Sequence, residues 1–176
     1  GLGDVYKRQY LFIARLSREK GAELFCQALT DLNLKGYVLG DGELMKELKE
    51  KYPKIVFCGW VDGEEKEKFI LKGKGLIFPS LWYEGSPLTI LEMKSCGIPC
   101  IVPDKCAASE DIKDGFTGFV FQTGSLYSLK KAIMKYEKVD LSILQKNIIS
   151  TFDVNDYTPE NHTINLINIY TEILNE

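Results

Sequence analysis

Two carboxylates and two cations carry the chemical potential of this chain. The segment Trp82-Tyr83-Glu84-Gly85-Ser86-Pro87-Leu88-Thr89-Ile90-Leu91-Glu92 sets Glu84 and Glu92 at either end of what reads as a loop turning into a helix. Ser86 suits the N-cap and Pro87 the first helical position, where its missing N–H costs nothing. The N–H groups near Leu88 and Thr89 would then point out of the helix start and offer a place for an anion. By three- and four-residue spacing Glu92 shares a helix face with Leu88, Leu91 and Ser95. A carboxylate on a mostly apolar face is costly unless something pairs with it. The plain alternative is a capped helix whose Glu92 reaches solvent or pairs with a lysine. The two cations, Arg15 and Lys20, lie in Ala14-Arg15-Leu16-Ser17-Arg18-Glu19-Lys20-Gly21. Arginine offers a planar fork of donors and lysine a compact charge, a combination suited to a diphosphate. Alone, the same loop reads equally well as a solvated basic turn with a Glu19–Lys20 charge pair.

These residues need a scaffold, and the hydrophobic pattern supplies one. Short apolar runs alternate with amphipathic segments from Tyr10 onward. Strands are expected at 10–14, 36–39, 55–58, 76–78, 99–102 and 119–121. Helices are expected at 22–32, 43–52, 64–72, 87–96, 126–138, 141–150 and 159–174. Strands rich in Ile, Val, Leu and Phe that alternate with helices argue for a parallel sheet covered on both faces. The result is an α/β domain, Rossmann-like and doubly wound, with about six strands. Ligands bind such sheets at the carboxyl ends of the strands. The conspicuous loops fall there: 15–21, 40–42, 59–63 and 80–87. No Gly-x-Gly-x-x-Gly follows the first strand and no GxxxxGK[ST] loop is present, which disfavours a dinucleotide dehydrogenase or a P-loop enzyme.

The Glu84-to-Glu92 segment, an EGxPxxxxE frame, resembles the signature of retaining glycosyltransferases of family 4. Those enzymes pair two Rossmann-like domains in the architecture called GT-B, and the signature lies in the C-terminal, donor-binding half. The loop at Arg15–Gly21 resembles the family's GRLxxEKG, with Ala14 in place of the usual glycine. Gly40-Asp41-Gly42-Glu43 resembles its GDGP turn, with Glu43 in place of proline. Val56-Phe57-Cys58-Gly59-Trp60-Val61 resembles the strand and loop over which the nucleotide base lies. Gly97-Ile98-Pro99 matches the turn after the motif helix, and Glu110 to Gly118 a glycine-punctuated stretch read as turns.

The resemblance implies roles. Glu84 would sit by the donor sugar, with Arg15 and Lys20 clamping the diphosphate, the three forming the catalytic set. Glu92 would take the ribose hydroxyls. The N–H groups of Gly85, Ser86, Leu88 and Thr89, around Pro87, would meet the diphosphate, and backbone groups at Gly59 and Val61 would read the base. Trp60 either stacks on the base or packs in an interface. The implied reaction moves a hexose from a UDP- or GDP-sugar to an acceptor hydroxyl with retention, in surface polysaccharide or glycolipid synthesis. No metal is expected, in keeping with the lack of an Asp-x-Asp motif. A glycoside phosphorylase or synthase of the same superfamily, or a non-catalytic nucleotide-binding module, are the alternatives. The acceptor glycan or glycolipid would be bound by an N-terminal domain that the chain lacks, which could also bring peripheral membrane contact. The last helix would cross back to that domain.

Size and composition set the bounds. The chain has 176 residues, enough for one domain with a core, and its 45% apolar and 27% charged residues are ordinary for a globular protein. A net charge of −3 gives no reason to expect nucleic acid or anionic membrane as a partner. No apolar run approaches the roughly 20 residues of a membrane span and no signal peptide is visible, so a cytoplasmic chain is expected, at the inner face of the membrane when full length. Cys26, Cys58, Cys96, Cys100 and Cys106 form no Cys-x-x-Cys pair and read as reduced, mostly core residues. His162 is the single histidine and reads as a surface or capping residue. Residues 1–9, GLGDVYKRQ, lack periodicity and read as a non-native leader, leaving 10–176 as the donor-nucleotide domain.

Overall fold

The structure, a computed structural model, describes residues 9–175. The expected leader therefore lies outside the described residues except for Gln9, which opens the first strand and pairs with Gly73. In chain order the elements are β1 (Gln9–Ile13), α1 (Ala22–Asp31), β2 (Gly36–Leu39), α2 (Met45–Lys51), β3 (Val56–Gly59), α3 (Gly63–Lys72), β4 (Gly73–Ile77) and α4 (Leu88–Ser95). They continue with β5 (Cys100–Pro103), β6 (Gly118–Phe121), α5 (Leu126–Tyr136), α6 (Leu141–Thr151) and α7 (Pro159–Asn175). All strand pairs are parallel, in the order β3-β2-β1-β4-β5-β6. The order reverses between β1 and β4, and in an open doubly wound sheet the crevice at that reversal, outside the carboxyl ends of the strands, is where ligands bind.

The two-residue period of each strand divides the core. Tyr10, Phe12, Val38, Ile77, Ile101, Phe119 and Phe121 point to one face, where Phe25 and Leu29 of α1, Leu48 of α2 and Leu129 and Ile133 of α5 cover them. Leu11, Leu39, Leu76, Cys100 and Val102 point to the other, under Ile70 of α3 and Ile90 and Met93 of α4. Burial on both faces explains why the strands read as continuous apolar runs.

Expected boundaries mostly move by a residue or two. The largest displacement is β4, expected from Leu76 but beginning at Gly73, directly after α3. The small size of Gly73 and Gly75 is a packing requirement: a Cβ at Gly73 would fall 2.6 Å from a Leu11 methyl, and one at Gly75 2.8 Å from the Tyr136 hydroxyl. His162 lies within the first turn of α7, exposed. Of the cysteines, Cys26, Cys100 and Cys106 are buried as expected, Cys58 is half-buried and Cys96 exposed, and all are free. Among the described residues no helix is long and apolar enough to cross a membrane.

Candidate functional site

Four loops meet at the carboxyl edge, and their backbones are stitched together. After β1, Ala14 N–H donates to Leu39 O and Leu16 N–H to Asp41 O, at 3.2 and 2.8 Å, which ties the first loop to the turn after β2. Gly40 N–H donates to Gly59 O at 2.7 Å and so carries the chain of contacts to the end of β3. Leu81 N–H, in the loop after β4, donates to Glu19 O at 2.8 Å. Gly21 makes this last approach possible. It has φ +69°, and a Cβ there would lie 2.0 Å from Pro79 O, so only glycine supplies both the left-handed backbone and the space.

Within this frame the loop after β1 meets the loop after β4 through side chains. Lys20 Nζ donates to Oε1 of Glu84 at 2.6 Å, and both side chains are about three-quarters covered. The hydroxyl of Ser80, 1% exposed, donates to the same oxygen at 2.9 Å. Glu84 is also held through its backbone, since its carbonyl accepts from Ala107 N–H at 3.0 Å. Arg15 stands further out. Its guanidinium reaches Glu19 at 2.9 Å with a side chain 68% exposed. The Ser17 hydroxyl, 2.6 Å from the same carboxylate, together with Arg15 holds Glu19 below the usual carboxylate range. The alternative reading of this loop, a solvated turn with a Glu19–Lys20 pair, is not what forms: the pairs are Arg15–Glu19 and Lys20–Glu84.

Two expectations about the motif helix are corrected. Ser86 does not cap it: α4 begins at Leu88, Pro87 occupies the cap position with φ −74° and ψ 101°, and no side chain caps the helix. Proline fixes φ in a range both helix and extended chain accept, and here ψ is extended, which delays the helix by one residue. Glu92 is also not on an apolar buried face. The buried stripe is Ile90 and Met93, whereas Leu88 is 71% exposed and Ser95 is exposed. Glu92 pairs with Lys66 of α3, Nζ to Oε2 at 2.6 Å. Its cost is therefore modest, as the plain reading of a carboxylate paired with a lysine anticipated.

The structure thus brings Lys20 and Glu84 together, with the first turn of α4 following Glu84 in the chain, and leaves Arg15 and Glu92 at the margin. Gly59 and Val61 lie at the end of β3, half-buried, and Trp60 between them is 74% exposed. Sequence reasoning missed Ser80 and Lys66. The first was hidden as one serine in a loop, the second in the charge-dense helix Gly63–Lys72. A cavity of about 620 Å³ opens between α1 and α2, lined by Leu24, Gln27, Leu44 and Leu48 and reaching Arg18 and Gly21 of the loop after β1 and Leu81 of the loop after β4. A smaller cavity of about 140 Å³ lies beside Gly85, Ser86 and Pro87. Among the described residues no group of three or more His, Cys, Asp or Glu side chains is placed to hold a metal ion.

Comparison with known proteins joins this geometry to a family. The model for glycosyl transferases group 1 matches residues 4–151. The UDP-Gal:alpha-D-GlcNAc-diphosphoundecaprenol alpha-1,3-galactosyltransferase of Escherichia coli is 34% identical over 66% of this chain and 33% of its own. The lipopolysaccharide 1,6-galactosyltransferase of E. coli K12 is 30% identical over 69% of this chain and 36% of its own. The chain thus spans about a third of the length of these curated relatives. Among solved structures, Anabaena HepE in complex with UDP superposes with a TM-score of 0.75 at 17% identity, over 90% of this chain and 48% of that one. Sucrose-phosphate synthase from Thermosynechococcus elongatus does so with a TM-score of 0.75 at 19% identity, over 95% and 45%. At such identities the likeness is one of fold.

Proposed function

The chain belongs to the glycosyl transferases of group 1, and we propose that it is the donor-binding domain of a retaining hexosyltransferase that uses a UDP-sugar. The observation that carries this reading is the meeting of Lys20 and Glu84 at 2.6 Å between the loops after β1 and β4, where the strand order reverses. Sugar transfer breaks the bond from the anomeric carbon to a diphosphate oxygen, and negative charge builds on the departing nucleoside diphosphate. Fixed donors aimed at that charge are the main electrostatic contribution a protein can make. Lys20 supplies a cation with three donors, of which Glu84 occupies one. Arg15, at the mouth, supplies the planar fork. The N–H groups opening α4 add the positive end of a helix dipole.

Glu84, held by Ser80 and Lys20 through one oxygen, keeps the other for a hydroxyl of the donor sugar. Glu92 takes the ribose hydroxyls, and backbone groups at Gly59 and Val61 meet the base. UDP is favoured over GDP because the galactosyltransferase relative is named for UDP-Gal and HepE was crystallised with UDP. The retaining course rests on the resemblance of the Glu84–Glu92 segment to family 4. The two galactosyltransferase relatives, named for a diphosphoundecaprenol-linked sugar and for lipopolysaccharide, favour a glycolipid or surface-glycan acceptor. Acceptor binding falls to a second domain, and α7 is the surface that meets it. None of its residues is buried, and Ile164, Ile167, Tyr170 and Ile173 are each more than half exposed.

Calorimetric titration with UDP, GDP and ADP tests the reading. Saturable binding of UDP, weakened in Lys20→Ala and Glu92→Ala, is the expected result; equal indifference to all three, or binding unchanged by both substitutions, contradicts it.

A further inference from the structure

Helix α3 is dense in charge, and Lys66 behaves unlike its neighbours. Glu64, Glu65, Glu67 and Lys68 are exposed, and Lys68 lies 4.0 Å from Glu64 within the same helix. Lys66 instead crosses to α4 and donates to Oε2 of Glu92 at 2.6 Å, with its own side chain 24% exposed and that of Glu92 44%. Among the described residues Lys66 Nζ and the Glu92 carboxylate have no other partner, so Oε1 is left for a ligand. Part-exposed ion pairs add little to folding, and ordering a lysine side chain costs rotamer entropy. Fold stability therefore gives a weak reason for this contact. Its position gives a better one. Helix α3 starts just after the Gly59–Val61 loop assigned to the base, and Glu92 is the residue assigned to the ribose.

We infer that Lys66 is a positioning residue for the nucleotide's ribose, an inference that rests on the proposed role of Glu92. A carboxylate covered by a nucleoside loses hydration, and without a counter-charge that loss is poorly repaid. Lys66 supplies the counter-charge and fixes the rotamer. With Nζ on Oε2, the carboxylate retains Oε1 and a second lone pair on Oε2, enough to accept both ribose hydroxyls. The pair should therefore distinguish a ribonucleotide from its 2′-deoxy form.

The test is titration of the full chain with UDP and 2′-deoxy-UDP, followed by amide chemical shifts, in wild type, Lys66→Met, Lys66→Arg and Glu92→Gln. Lys66→Met should weaken UDP binding about five- to tenfold, the range of one charge-assisted contact, and 2′-deoxy-UDP binding less. Lys66→Arg should restore most of the loss, and Lys66→Met should add nothing in a Glu92→Gln background. The melting midpoint of each variant guards against a folding defect, with Lys66→Gln in reserve if Lys66→Met lowers it. Glu92→Gln that keeps the wild-type preference for UDP would overturn the ribose role of Glu92 and this inference with it. Glu92→Gln that loses the preference while Lys66→Met keeps it would overturn Lys66 alone. A wild-type chain that binds no UDP would overturn both.

Discussion

Lys20 and Glu84 are 64 residues apart in sequence, yet Lys20 Nζ and Ser80 Oγ converge on one Glu84 oxygen. Each substitution in this trio should speak to a different term. Lys20→Ala leaves Glu84 without its cation and, on the proposed reading, removes a charged contact to the diphosphate. One charged hydrogen bond contributes on the order of 1.5–3 kcal/mol, so UDP affinity should fall about tenfold or more by calorimetry. Glu84→Gln keeps the shape and should spare UDP binding while weakening that of a UDP-sugar, a split that equilibrium titration of both ligands would reveal. The thiols offer a check on packing at the same scale. Burial pushes Cys26 and Cys100 up to about 12, so both stay protonated at pH 8. Iodoacetamide should modify exposed Cys96 first and reach those two only on unfolding, as peptide mass mapping would show.

At the scale of elements, the loops owe their order to backbone contacts as much as to side chains. Gly21 is the clearest instance. Gly21→Ala would force a Cβ to 2.0 Å from Pro79 O at φ +69°. The left-handed backbone alone costs roughly 1–2 kcal/mol, so a loss of at least that size is expected in urea unfolding. UDP binding should weaken as well, because Lys20 is the adjacent residue. Acid should act on other element ends. Hydrogen bonds from Thr123 hold Asp104 below its ordinary value, and the Lys130 contact does the same for Asp31. A carboxylate with a depressed folded value binds its proton more readily when unfolded. Its contribution is thus present above the unfolded value near 4 and is lost as pH falls through the lower folded one. The urea midpoint should decline below about pH 4, less steeply in Asp104→Asn.

Much of this arrangement was legible in the sequence, for physical reasons that can be named. Apolar runs at 36–39 and 119–121 became strands because both faces of the sheet are covered. The expected loops at the carboxyl edge are the ones that meet. What stayed hidden depends on packing or on distant partners. Helical spacing put Glu92 with Leu88 and Leu91, but it could not say that Leu88 stays exposed and that Ile90 and Met93 form the buried stripe. Nothing local marked Lys66 or Ser80, whose partners lie 26 residues away and beyond a turn.

The whole molecule raises the question of where the nucleotide goes. On the proposed reading the switch point between β1 and β4 draws it to the loops of Lys20 and Glu84, and a cavity of about 620 Å³ between α1 and α2 is the competing place. With about a third of the length of its curated relatives, the chain alone should, on the proposed reading, bind UDP weakly and transfer little sugar; robust transfer by residues 10–176 would contradict the proposed acceptor role of a second domain. The most direct test of the central claim is amide chemical-shift mapping of the chain titrated with UDP. Saturable shifts concentrated at Arg15–Lys20, Gly85–Thr89 and Glu92 are the predicted result. Shifts confined to Leu24, Gln27, Leu44 and Leu48 between α1 and α2, or an unchanged spectrum at millimolar UDP, would contradict it.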